Sequence, residues 1–375
     1  MSRRTATRIA SLRTALITAP RMFLVVWLVI WTAVEILLSR THMYSWHYVM
    51  TGAGVLRSPT WFDLYGRHPE LQMGPLTFVV AQPFSLLTPE AGRVVAAAAM
   101  AAVGLLVAWQ LRALVPPVTR RDERRWIVLS AVFLVGWLEV AVRFGHLDDV
   151  MALLFGLLAV RCARADRLVL AAGLFGLATD FKPWALPFAV VLLMQSGGRR
   201  LVAPMVVLLA VIGAAWLPFL VLDPRTVHVT GFVIRVDPAS TLHLLSLAGS
   251  STPVWCRPAQ FAVGGILALL AVRTGRWQAA LLLVVAVRLL LDPATQPYYD
   301  SGLLLGSVLL DLAIARKTAR LRTGVTTAVV VLLVYLPSYL LVELPEVRGV
   351  LRTLGLLGLI ALAAAAPRLD ARRLD

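Results

Sequence analysis

Between Met22 and Pro367 the chain is a succession of apolar runs separated by short polar breaks. A membrane-spanning helix needs about 20 apolar residues, and fewer where neighbouring helices shelter a short one. Twelve runs qualify: 22–39, 91–115, 126–143, 150–162, 168–180, 183–196, 201–222, 259–273, 277–290, 301–315, 324–342 and 350–366. A further stretch, Pro75 to Leu87, is read as re-entrant or non-spanning, because a crossing there would move Arg120, Arg121, Arg124 and Arg125 to the side opposite the other basic breaks. The pattern predicts an all-α, polytopic transmembrane bundle of about 12 spans, forming one membrane domain over 1–375. Its tails are 1–21 and 367–375, and its long connections are 40–88 and 223–258. The apolar run after Arg3, Arg4, Arg8 and Arg13 is too long for a signal-peptide core and is expected to stay as the first helix.

Composition strengthens this reading: 59% of residues are hydrophobic and 15% charged, more apolar surface than a soluble domain of this length can bury. The net charge of +16 would suggest nucleic acid in a soluble protein, but the arginines sit in the breaks between apolar runs and act as topology signals, so no nucleic-acid partner is expected. They place both termini in the cytoplasm. Cys162 and Cys256 then fall on opposite sides of the membrane, which excludes a disulfide between them. All six histidines and most acidic residues of the connections fall on the extracytoplasmic face. The inner breaks carry no phosphate-cradling Gly-rich motif, which argues against a user of cytoplasmic ATP or nucleotide sugar. No internal repeat is visible.

Candidate chemistry therefore lies outside. In the first long connection, Asp63 and His47 are acid/base candidates, with Tyr48 beside them; the plain alternative is a cap held by interfacial aromatics. In the turn Arg143-Phe-Gly-His146-Leu-Asp148-Asp149, two adjacent carboxylates beside a histidine suit a general base or a metal-ligand pair, although an aspartate there could also cap the next helix. Lys182, in Asp180-Phe-Lys-Pro-Trp184, is a lysine on the side that usually lacks them, and so a phosphate-binding candidate together with Arg143 and Arg288. Glu139, four residues before Arg143, could simply pair with it. Gln296, Tyr298, Tyr299 and Asp300, in the doubly Pro-broken turn Asp292 to Asp300, could line an acceptor groove or anchor the interface. Glu35 is an intramembrane carboxylate and a functional candidate by default. Asp311, near Arg316, reads as structural.

The order of these features resembles the GT-C class of membrane glycosyltransferases, in particular bacterial α-mannosyltransferase-like families that take sugar from a polyprenyl phosphate. The likeness rests on Tyr48, Asp63-Leu64-Tyr65, Met73-Gly74-Pro75-Leu76, Gly145-His146-Leu147-Asp148, Lys182-Pro183 and the turn from Pro293 to Tyr299. The acid expected just after the first helix, near Tyr44 or Ser45, is missing. Asp63, Glu35 or the Asp148/Asp149 pair would then take its role, or the activity differs.

The resemblance implies a multi-pass protein of the bacterial cytoplasmic membrane and cell envelope. It would move a hexose or pentose, such as mannose, from a polyprenyl-phosphate donor to an extracytoplasmic glycolipid or glycan, among membrane lipids. It calls for no cofactor, while the Asp148/Asp149 pair would also suit a divalent metal. The competing expectations are a transporter or lipid flippase using Glu35, Glu139 and Arg288, and an inactive scaffold.

Overall fold

The computed structural model describes residues 22–37, 43–194, 198–317 and 324–368. The tails 1–21 and 369–375, together with Arg40, His42, Arg320 and Arg322, lie outside the described residues. The helices are α1 (Met22–Leu37), α2 (Trp46–Val55), α3 (Leu64–Arg67), α4 (Pro75–Ala81), α5 (Pro89–Leu114), α6 (Arg120–Leu138), α7 (Leu147–Arg164), α8 (Leu168–Phe181), α9 (Val202–Leu222), α10 (Thr241–Leu244), α11 (Cys256–Arg273), α12 (Ala280–Leu290), α13 (Asp300–Lys317), α14 (Val325–Val329), α15 (Pro337–Leu340) and α16 (Pro345–Ala365). Among the described residues no strand forms, and one isolated bridge joins Arg235 to Ser251.

Among the described residues, six helical segments are long and apolar enough to cross a membrane, starting at Pro89, Arg120, Arg199, Cys256, Pro297 and Pro345. Six more are apolar but shorter, 10–17 residues each. Helix α7 carries Asp148, Asp149, Arg161 and Arg164 within its 18 residues, too many charges to qualify on composition. The chain is an all-α membrane bundle in which length and composition alone assign half of the twelve spans read from the sequence. Two of the expected spans are also irregular. Pro183–Met194 winds as a 3-10 helix around Pro187, which has no N–H to donate. The run expected at 324–342 breaks into α14, a π-helical stretch Val330–Tyr335, and α15, which begins at Pro337.

Burial follows position in the bundle. The window of α13 is 83% buried, whereas that of α9 is 11% buried and presents Val202, Val206, Leu209, Leu217 and Val221 outward. An apolar helix with so little protein around it needs an apolar surrounding.

The two ends of the bundle differ in chemistry. One end collects arginines that tie helix termini together: Arg112 pairs with Glu123, Arg161 donates to Gln110, Arg164 donates to the Leu114 carbonyl and Arg276 to that of Ala366. The other end holds the turns 143–149, 182–184 and 291–299 and the long connections around them. Backbone N–H groups of Met43, Tyr44 and Ser45 donate to the carbonyls of Val142, Arg143 and Phe144. Asp237, in the second long connection, donates its N–H to the Pro293 carbonyl.

The stretch Pro75 to Leu86 starts and finishes at this second end. Its first residues adjoin Phe181, since Gly74 N–H donates to the Phe181 carbonyl, and a side chain on Gly74 would meet the Asp180 backbone. It runs into α5, which is antiparallel to α6: Trp126 donates to the Ala108 carbonyl and Trp137 to that of Met100. The first turn of α5 therefore lies at the Arg143 end. Seven α-helical and five 3-10 residues reach only about 20 Å, short of the ~30 Å hydrocarbon layer.

Asp311 is a structural carboxylate. It accepts from Thr326 N–H (3.3 Å), Thr327 N–H (2.8 Å) and the Thr327 hydroxyl (2.7 Å), holding the start of α14 against α13. Asp311→Ala orphans these donors inside the protein and is expected to cost about 1–3 kcal/mol, read as a lowered unfolding midpoint in detergent.

Candidate functional site

Three turns that are far apart in sequence build one buried charged cluster. The first is made by Gly145, whose φ of +71° suits a residue without a side chain. It directs the chain from a π-helical stretch, Glu139–Arg143, into α7, so that His146, Asp148 and Asp149 sit at the start of a helix. The second turn is set by Pro183, which disfavours helical backbone at the residue before it. Lys182 accordingly takes φ −146°, ψ 112°, which ends α8 and turns its side chain toward α7. The third turn follows α12, whose last turn carries Arg288, and passes through a short 3-10 segment with Tyr298 and Tyr299.

The Lys182 ammonium bonds to Asp148 Oδ2 and lies 3.7 Å from Asp149 Oδ2. Trp184 Nε1 donates to Asp149 Oδ1 at 2.9 Å. Arg288 lies 3.9 Å from Asp149 and 3.8 Å from Asp292, sandwiched between the rings of Trp184 (5.1 Å) and Tyr299 (4.6 Å). His146 stacks on Tyr298 at 3.8 Å, and its Nδ1 faces Asp148 Oδ1 at 3.3 Å and Asp149 Oδ2 at 3.7 Å. Asp148 is fully buried; His146, Asp149, Arg288 and Asp292 are nearly so.

Burial alone would weaken the Lys182 ammonium, but the Asp148 and Asp149 carboxylates outweigh it and hold the group above the ordinary lysine range. Burial pushes the Asp292 carboxyl up, with Arg288 pulling the other way. Asp148 and Asp149 do lie in the first turn of α7, where negative charge complements the helix dipole, but no side chain makes a capping hydrogen bond there and both carboxylates bond into the cluster.

The other candidates from the sequence lie elsewhere. Asp63 is buried against Arg67 (2.6 Å) at a cavity of about 450 Å³ lined by Thr51, Ser58, Thr60 and His68, among others. His47 Nδ1–H donates to the Tyr44 carbonyl and the ring packs on Tyr48, both side chains exposed. The Gln296 side chain is exposed. Glu35 and Glu139 both face Arg143, at 3.9 and 3.5 Å, and Tyr335 donates to Glu139. Arg288 pairs instead with Asp149 and Asp292. Asp300 is fully buried, 3.8 Å from Arg352.

Sequence reasoning did not single out Trp184, Asp292 or Arg352 as site residues. Arg352 had a signal, an arginine within an apolar helix, which is rarely placed without a partner. Trp184 and Asp292 had none beyond lying in the turns already singled out.

Among the described residues, His146, Asp148 and Asp149 form a metal-binding donor set, with ligand atoms within 4.8 Å of one another. Fold and site together define an all-α membrane bundle with a buried cluster of carboxylates and cations at one end. No family model matches the chain, and no curated protein or solved structure matches it either.

Proposed function

We propose that the chain is a membrane glycosyltransferase of GT-C type, moving a sugar from a polyprenyl-phosphate donor to a glycolipid or glycan at the outer face of a bacterial cytoplasmic membrane. In this reading the bundle has about twelve spans with both termini in the cytoplasm. The supporting observation is the cluster itself: two cations, Lys182 and Arg288, meet two carboxylates, Asp148 and Asp149, beneath aromatic rings at the end of the bundle away from the arginine-rich one.

The parts divide as follows. Asp148 has no exposure and is committed to Lys182, so it positions the ammonium. Asp149 Oδ2, like Asp148 Oδ1, makes no hydrogen bond, but Asp149 is held by Lys182 only at 3.7 Å and so is the carboxylate that acts as the base. It takes the acceptor hydroxyl proton as that oxygen attacks the anomeric carbon; the bond from that carbon to the phosphate oxygen breaks, with inversion. Lys182 and Arg288 neutralise the charge that builds on the departing polyprenyl phosphate. Phosphate competes with Asp149 for both cations, so donor binding frees the carboxylate that receives the proton.

The test is reconstitution in vesicles with radiolabelled polyprenyl-phosphate mannose and a glycolipid acceptor extract. Label is expected in the acceptor without added nucleotide sugar. Counterflow of intact lipid-linked sugar without any covalent transfer would instead assign the chain to transport.

A further inference from the structure

We infer that His146, Asp148 and Asp149 form a binding site for one divalent cation of the manganese type. Each carboxylate makes its hydrogen bond inside the cluster through one oxygen, and the other accepts none, with Lys182 standing 3.7 Å from Asp149 Oδ2. Asp148 Oδ2 goes to Lys182 and Asp149 Oδ1 to Trp184. The leftover atoms, Asp148 Oδ1 and Asp149 Oδ2, make no hydrogen bond, and neither ring nitrogen of His146 makes one. All three side chains are more than nine-tenths buried, where an unsatisfied polar atom is costly.

These leftover atoms converge. His146 Nδ1 is 3.3 Å from Asp148 Oδ1 and 3.7 Å from Asp149 Oδ2, and the three donors fit within 4.8 Å. Ligands at about 2.1 Å around a six-coordinate ion stand roughly 3 Å apart when adjacent, so a small inward movement closes the set. Stacking on Tyr298 fixes the imidazole plane, and the bonds to Lys182 and Trp184 fix the carboxylates, as outer partners do at metal sites.

The cluster is net anionic, which favours entry of a cation. The Arg288 and Asp292 charges cancel, leaving Asp148 and Asp149 against Lys182 alone, one negative charge in excess. One imidazole with two carboxylates is a mixed donor set that suits manganese better than calcium or a thiol-seeking ion.

The site is that of the proposed transferase, but the cation rests on the donor set and is read without turnover. Purified full-length chain in detergent micelles, titrated with Mn2+ alone, should bind one ion per chain by electron paramagnetic resonance. His146→Ala and Asp149→Asn should each weaken binding at least about 10-fold. Glu70→Gln, which removes an exposed carboxylate beside His68, should leave it unchanged. A nitrogen hyperfine coupling on the bound ion in the unsubstituted protein tests histidine ligation even where a variant does not fold. Absence of stoichiometric binding, or a bound ion without nitrogen coupling, overturns the proposal. In the transferase reading the cation takes the lone pair of Asp149 that receives the proton, so Mn2+ should slow transfer. Activation by stoichiometric Mn2+ would keep the cation site and remove Asp149 as the base.

Discussion

In the proposed transferase, Asp149→Asn should lower sugar transfer by about 10²–10⁴-fold while leaving the protein folded, the range that follows loss of a positioned general base. The substitution keeps the shape of the side chain and an oxygen to accept from Trp184 Nε1, so the contact at 2.9 Å can persist. What disappears is the negative charge and the basic lone pair at Oδ2, an atom that accepts no hydrogen bond and lies 3.7 Å from the Lys182 ammonium. Because Asn lacks the negative charge that competes for Lys182 and Arg288, donor affinity should hold or rise. The measurement is the rate of label transfer at saturating donor beside donor binding in the same vesicles. Full activity in Asp149→Asn would remove this residue from the mechanism.

The second large effect is on stability. Lys182→Ala leaves Asp148 fully buried without its ammonium, and removing one partner of a buried pair costs about 3–5 kcal/mol. The loss should appear as a marked fall in the unfolding midpoint in micelles. Lys182→Met combined with Asp148→Asn removes both charges and should recover most of that loss, while in the proposed transferase the transfer rate stays low, because only Arg288 of the two cations remains for the phosphate. An internal contrast is Arg200 with Asp166, 4.0 Å apart and largely exposed, where solvent screening leaves about 0–1 kcal/mol. If the double substitution is no more stable than Lys182→Ala, the penalty does not come from the stranded carboxylate.

Much of the membrane architecture was legible in the apolar runs, because the requirement for about 20 apolar residues and for internally paired backbone acts locally. The bounds of α5, α9, α11 and α16 lie within a few residues of the runs that foretold them. The irregular elements were less legible. Nothing local marks 330–335 as a π-helical stretch, and the 3-10 winding of Pro183–Met194 depends on how Pro187 packs among its neighbours.

Among the candidate site residues, chemistry along the chain separated possible from impossible, and the fold chose among them. The sequence alone marks Lys182 as exceptional, since it is one of only two lysines and precedes a proline that ends its helix. It could not say that Lys182 meets Asp148, 34 residues earlier, rather than Asp63, which the structure gives to Arg67. Likewise Arg288 reads as a cation on an apolar helix, and only packing sets it between Trp184 and Tyr299 instead of beside Glu35 and Glu139. Hydropathy and charge act over one helix or one turn, so a single chain displays them. A buried cluster is made where turns remote in sequence meet, and the partner of each charge is settled by helix packing.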